Sequence, residues 1–159
     1  MSKEIITIEE VFNIRTGEGG LHNLFDLHEA YIDEDGKFSM ELTVQERHLN
    51  PLGIAHGATL FALCDCVVGT YLVYQGNWTV TVDSSIQYYR PGKHGDRLKA
   101  TLTERKKGRT LGTYFVEVTN QDGALLADMT STFYILDKKE GFAEKDPTTT
   151  DTTKDVVDE

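Results

Sequence analysis

Apolar positions are spread unevenly along this chain, and their spacing changes character several times. From Thr7 to Ile14 the side chains Ile8, Val11, Phe12 and Ile14 recur at helical intervals, which predicts a short helix. Leu24 to Ile32 and Phe38 to Val44 read as two strands, joined by the turn Asp33-Glu34-Asp35-Gly36. Glu46 to Ile54 contains Asn50-Pro51 and Gly53 and reads as a loop. Ala55 to Tyr74, AHGATLFALCDCVVGTYLVY, is apolar nearly all round, with helix formers dominating its first half. Trp78 to Tyr89, Arg97 to Arg105, Thr110 to Asn120 and Ala124 to Leu136 are four further strand-like runs. Lys106-Lys107-Gly108 and Asn120-Gln121-Asp122-Gly123 are the expected turns between the last three.

A helix that is hydrophobic on every face is either a membrane span or the centre of a core. His56, Gly57, Asp65 and Gly69 oppose a span, because a charge at mid-bilayer costs about 2.5–3.5 kcal/mol or more. The expected order is therefore two strands, one buried helix, then four antiparallel strands. A single sheet has one face to cover, and one apolar helix is available to cover it. The pattern predicts an α+β fold with an antiparallel sheet wrapped around one long central helix. Residues 24–136 would form that domain, and residues 1–23 an N-terminal extension with the short helix. No internal repeat is visible.

At 159 residues the chain suits one domain with a single core. Its net charge of −10 opposes general binding to nucleic acid or to an anionic membrane surface. Residues 137–159 hold eight acids against four bases and five threonines, too little apolar surface to offset ordering, so a disordered tail is expected there. Arg90 to Arg109 has the opposite bias, with eight of the sixteen Lys and Arg residues. Cys64 and Cys66 would point to nearly opposite faces of a helix and cannot pair with each other. They read as small apolar side chains in a reducing compartment. The polar start MSKEIITIEE has no apolar signal core, which points to the cytoplasm.

Two features of the long helix suggest chemistry. Asp65 is almost the only charge among some twenty apolar residues, and a buried carboxylate needs a partner, a neutral state or a task. A structural, hydrogen-bonded Asp is the plainer reading. Upstream, His56-Gly57 stands where the loop becomes helix. Backbone N–H groups there lack internal partners, the macrodipole adds positive potential, and glycine lets a ligand approach closely. Such a helix start can polarise a carbonyl, although a glycine there is also common without function. The two groups are eight residues apart, about 12 Å along the axis. One chain cannot easily use both on the same carbonyl. If both act, two helices must pair antiparallel, giving two composite sites in a two-fold dimer.

The segment HLNPLGIAHGATLFALCD, from His48 to Asp65, resembles the hotdog-fold acyl-CoA thioesterases of the PaaI-like, phenylacetic acid degradation group. Their pattern reads roughly N-x-x-G-x-x-H-G-G-x-x-x-x-L-x-D. The downstream run TVTVDSSIQYYRPGKHGDRLKA is similar to that family's strand, its turn before proline and its Gly-Asp-x-Leu segment. The resemblance spans roughly residues 38–136. It implies hydrolysis of an acyl-CoA to free acid and CoA, with Asp65 attacking the thioester or activating water. It further implies that the Gly57 amide polarises the carbonyl and that Asn50 binds near the same carbonyl or the water. His56 would support the loop, and Thr81 would help to hold the water or the carboxylate. Ala58 replaces the motif's second glycine, keeping its N–H beside the substrate. CoA phosphates give the basic run a use: Arg90, Lys93, Lys106, Lys107 and Arg109 are candidates, against a plain solvated surface.

No cofactor is implied, since CoA is part of the substrate, and no metal is expected, because the spacing of His48 and His56 lacks one-turn pairing. The remaining histidines, His22, His28 and His94, show no constellation. The family also suggests a homotetramer built as a dimer of dimers. A non-catalytic acyl-CoA sensor or carrier on the same fold is the competing class. A hotdog hydratase would carry His five residues after the Asp, where this chain has Thr70.

Overall fold

The computed structural model describes residues 3–13 and 20–136. The far end of the helix expected to reach Ile14, and the acidic segment 137–159, lie outside the described residues. Besides a 3-10 turn at Glu46–His48, ten helices and strands follow in order among the described residues: β1 (Glu4–Thr7), α1 (Ile8–Phe12), α2 (Leu21–Leu24), β2 (Glu29–Ile32), β3 (Phe38–Thr43), α3 (Gly57–Tyr74), β4 (Trp78–Tyr88), β5 (Arg97–Lys107), β6 (Leu111–Thr119) and β7 (Leu125–Leu136). All seven strands join one antiparallel sheet in the order β1-β2-β3-β5-β6-β7-β4. The sheet packs around α3, the arrangement known as the hotdog fold.

The helix stays put because its faces are nearly all apolar and its ends are both capped. Leu63, Cys64, Val67, Val68 and Leu72 are fully buried against Met40, Leu98, Ala100, Val116, Val118 and Met129 of the sheet. His56 caps the start in an extended conformation, its ring Nδ1 accepting the Ala58 N–H at 3.0 Å. At the other end Gly76 takes φ 81°, and the Gly76 and Asn77 N–H groups donate to Val73 and Leu72 carbonyls. Those two bonds make a Schellman stop, for which glycine is suited. The chain then re-enters the sheet at its far edge as β4.

Three expectations are corrected. A seventh strand exists, because Glu4–Thr7 pairs with β2 before Thr7 caps α1 in a box with Glu10. Ile6 and Ile8 are buried in the main core, so the first described residues are part of the sheet's packing. Leu24 to His28 is not strand: α2 makes one helical turn, and Asp26, at φ 55°, reverses the chain. The Leu27 N–H donates to the His22 carbonyl at 2.8 Å, a local bond that takes the place of a sheet partner. Finally, Lys106 and Lys107 belong to β5, and the turn is made by residues 108–110, with the Gly108 N–H on the Leu111 carbonyl.

Candidate active site

Asp65 lies in the middle of α3, half-buried, and its Oδ1 accepts a hydrogen bond from Thr81 Oγ1 at 3.0 Å. Thr81 faces the helix because it sits opposite Phe133, a buried residue of β7. A β-bulge between Thr81 and Asp83 then inserts Val82 and shifts the register. Without the extra residue, strand alternation would turn Asp83 inward beside Asp65. With it, Asp83 pairs with Thr132 on the outer face, and Asp65 is spared a second carboxylate. Burial raises the Asp65 pKa above the usual carboxylate value, while the Thr81 bond and the charge of His22 pull it back. The neighbouring thiols Cys64 and Cys66 are buried and held protonated, with Cys66 pushed up to about 12 by desolvation and then by Asp65.

The helix start forms a separate cluster. The Ala58 N–H is already held by the His56 ring, which with Nδ1 accepting carries its neutral-form proton on Nε2. The Gly57 N–H, by contrast, has no acceptor among the described residues, and it lies at the positive end of the helix. Behind it, the Tyr88 hydroxyl donates to the Gly57 carbonyl at 2.9 Å. A Cβ at position 57 would come within 3.1 Å of that hydroxyl oxygen, so the glycine is a packing requirement as well as an opening. Asn50 Oδ1 accepts from Leu52 and Ile54 N–H groups at 2.9 and 3.4 Å, which ties the preceding loop and leaves its NH₂ group to donate elsewhere. His48, buried beneath, holds the His56 N–H and the Thr59 hydroxyl on its carbonyl.

Asn50, Leu60, Gly57, Tyr88, Tyr89 and Arg90 line one concavity of about 380 Å³, with Ile54, Ala55, Pro91 and Gly92. Arg90 is anchored by its Nη1 on the Leu125 carbonyl at 2.9 Å, and Lys93 follows in the adjacent loop, bridged to Ile54. The structure thus joins Asn50, Gly57 and Arg90, and separately joins Asp65 and Thr81. It does not join the two groups within one chain. The basic run is divided as well. Lys106 and Lys107 lie in the cross-strand rows of Asp83 and Thr81, whereas Arg90 follows Tyr88, seven residues further along β4, about 23 Å of strand. Arg109 sits in the turn beyond Lys107.

Sequence reasoning missed Tyr88 and His22. The pair Tyr88-Tyr89 before Arg90-Pro91 carried a signal, since aromatic residues on an exposed strand end call for a partner or ligand. Nothing local in Leu21-His22-Asn23-Leu24 announces a contact with α3. Among the described residues no group of three or more His, Cys, Asp or Glu side chains converges as a metal site requires.

A curved antiparallel sheet packed around one central helix defines the class of hotdog proteins. The thioesterase superfamily matches residues 52–127. The acyl-coenzyme A thioesterase PaaI of Escherichia coli is 33% identical over 94 residues, covering 59% of this chain and 67% of that protein. Human acyl-coenzyme A thioesterase 13 is 35% identical over 95 residues, 58% of this chain and 68% of the relative. A hypothetical thioesterase of Streptococcus pneumoniae, crystallised with coenzyme A, superposes with TM-score 0.63 at 33% identity, covering 65% of this chain and 84% of that one. Its structure is also known with an Asp and a Thr, sixteen positions apart, each replaced by Ala. This chain belongs to the thioesterase superfamily. Within it the protein is a thioester hydrolase of the PaaI-like hotdog type.

Proposed function

We propose that the protein hydrolyses acyl-CoA thioesters in a site shared between two subunits. The observation that carries this reading is the Thr81–Asp65 hydrogen bond, eight helical residues from the open Gly57 amide. Thr81 and Asp65 are also sixteen positions apart, the spacing of the Asp and Thr replaced in the pneumococcal protein. In the proposed site the thioester oxygen accepts from the Gly57 N–H, at a helix start where negative charge is favoured. The free amide hydrogens of Asn50 donate to the same oxygen or to water. The carboxylate of Asp65 from the partner subunit then either attacks the carbonyl carbon or takes a proton from the attacking water. The C–S bond breaks and CoA leaves as thiolate and is protonated; where water attacked, the acid is freed directly, and where Asp65 attacked, a water molecule then hydrolyses the acyl–Asp65 anhydride, freeing the acid and restoring the carboxylate.

Two antiparallel α3 helices that bring Gly57 of one against Asp65 of the other cross at Phe61, four residues from each. Phe61 is 36% exposed in the single chain, and Val82 and Tyr88 of the edge strand β4 are exposed with it. These apolar groups support a dimer along β4 and α3. The same two-fold relation sets Lys106, Lys107 and Arg109 of one subunit toward Arg90 and Lys93 of the other, so the divided basic run reunites around the CoA phosphates. A further apolar row, Leu111, Tyr134 and Val80 across three strands, supports pairing of dimers through the sheet.

Thiol release from acetyl-, hexanoyl-, palmitoyl- and aromatic acyl-CoA, followed with a chromogenic thiol reagent, tests this reading. Turnover on at least one substrate, lost in Asp65→Ala, is expected. Full turnover in Asp65→Ala defeats the mechanism, and tight acyl-CoA binding without turnover on any substrate identifies a carrier or sensor instead.

A further inference from the structure

Strand β4 grips the central helix at two points. At one, the Thr81 hydroxyl holds the Asp65 carboxylate. At the other, seven residues further along the strand, the Tyr88 hydroxyl donates to the Gly57 carbonyl at 2.9 Å. The second contact is close-packed as well as hydrogen-bonded. A Cβ at position 57 would stand 3.1 Å from the Tyr88 hydroxyl oxygen and 3.2 Å from its ring. Tyr88 is itself anchored to the sheet. It pairs with Ala127 of β7, and the Tyr89 and Arg90 N–H groups that follow both donate to the Leu126 carbonyl, at 2.8 and 3.2 Å. The Tyr89 hydroxyl reaches Asp128 at 2.8 Å.

The Gly57 carbonyl and the Ala58 N–H belong to one rigid peptide plane. Tyr88 holds the oxygen of that plane and the His56 ring holds its hydrogen, at 2.9 and 3.0 Å, so it is pinned from both ends. The preceding plane carries the Gly57 N–H, and its own carbonyl, that of His56, accepts the Thr59 N–H at 2.8 Å. The two planes meet at the Gly57 Cα, where glycine would otherwise leave rotation nearly free. Of these restraints only Tyr88 comes from the sheet; the others move with the helix start itself. We propose that Tyr88 is a positioning residue for the Gly57 amide, fixing its direction so that it meets the thioester oxygen without reorganisation. This inference rests on the proposed role of Gly57 in polarising the thioester carbonyl. Strand β4 then sets both halves of the chemistry: Thr81 aims the carboxylate and Tyr88 aims the oxyanion donor. The two-fold pairing of helices brings one from each subunit together.

Tyr88→Phe tests this. Tyr88 is 51% exposed, and the substitution removes only the hydroxyl while keeping the ring that packs on Gly57, so the variant should fold and dimerise. On the fastest of the acetyl-, hexanoyl-, palmitoyl- and aromatic acyl-CoA substrates, kcat is expected to fall about three- to tenfold, as for one neutral hydrogen bond, with KM within about twofold. In a Gly57→Pro background, which has no N–H to aim, Tyr88→Phe should bring no further loss. Unchanged kcat, or an equal loss in both backgrounds, overturns the proposal. A readout independent of turnover is the infrared stretch of an isotopically labelled thioester carbonyl, on the same acyl-CoA bound to Asp65→Ala. Polarisation by the Gly57 N–H lowers its frequency below that of free acyl-CoA, and adding Tyr88→Phe should return it part of the way. A lowered band that Tyr88→Phe leaves unmoved sinks this inference alone. A band at the free frequency in Asp65→Ala itself sinks the role of Gly57 and the inference with it.

Discussion

A side chain at position 57 would press on Tyr88, and a lost N–H there would remove the donor proposed for the thioester oxygen; two substitutions separate these effects. Gly57→Ala adds the Cβ but keeps the amide, and the Tyr88 ring must give by a few tenths of an ångström. Gly57→Pro removes the amide at the first helical position, where proline is tolerated. The preceding His56 already has φ −62° and ψ 140°, the extended conformation that a residue before proline prefers. Circular dichroism should therefore show both variants folded. Steady-state kinetics should show Gly57→Pro about 10²–10³-fold below Gly57→Ala in kcat, the usual worth of one oxyanion donor. Equal activity in the two would remove the Gly57 amide from the mechanism. At this scale the sequence was informative where chemistry stood out against its background: one carboxylate in an apolar helix, one glycine at its start. Thr81 came only from family resemblance, because its bond to Asp65 joins two elements. Tyr88 and His22 act the same way, across space, and local pattern is blind to that.

Among the elements, α3 was legible because a nearly all-apolar run of eighteen residues has few places to go. The strands β4 to β7 were legible to within two residues at each end, since turns such as Asn120–Gly123 carry their own signals. β1 was not, because four residues that pass straight into a helix give periodicity no room. Leu24 to His28 was misread as strand because Leu24, Leu27 and Ala30 punctuate a half-polar stretch that fits either period loosely. Less visible from pattern is the dependence of β6 on Gly112. That glycine lies under the Tyr114 ring, and a Cβ would stand 2.4 Å from the Tyr114 hydroxyl oxygen. Tyr114 in turn is fully buried, edge-on to Tyr71 and Phe133. Gly112→Ala should therefore overpack the core and cost on the order of 1–3 kcal/mol, seen as a lower midpoint in urea unfolding. KM at low temperature should hardly change. An unchanged midpoint would mean that Tyr114 has room to move.

For the whole molecule, the decisive question is whether one chain or two build the site. Mixing answers it. Asp65→Ala and Gly57→Pro subunits, each inactive alone, should regain activity when unfolded together and refolded. Each heterodimer would hold one intact site and one doubly damaged site, so an equal mixture should approach about one quarter of wild-type activity. A mixture that remains inactive would place the two groups in the same subunit's site. Phe61→Glu belongs with this experiment: a charge at the crossing point should yield monomers in analytical ultracentrifugation and no activity. Dimers that survive it would put the interface elsewhere.

The two cysteines of α3 have one more consequence, and it concerns time. Both thiols are sealed beneath the sheet and kept protonated. A disulfide reagent that turns yellow on meeting released CoA therefore does not see the enzyme that released it. Colour that creeps in without substrate is the chain opening along its central helix, and its rate is a clock for how long the native state lasts.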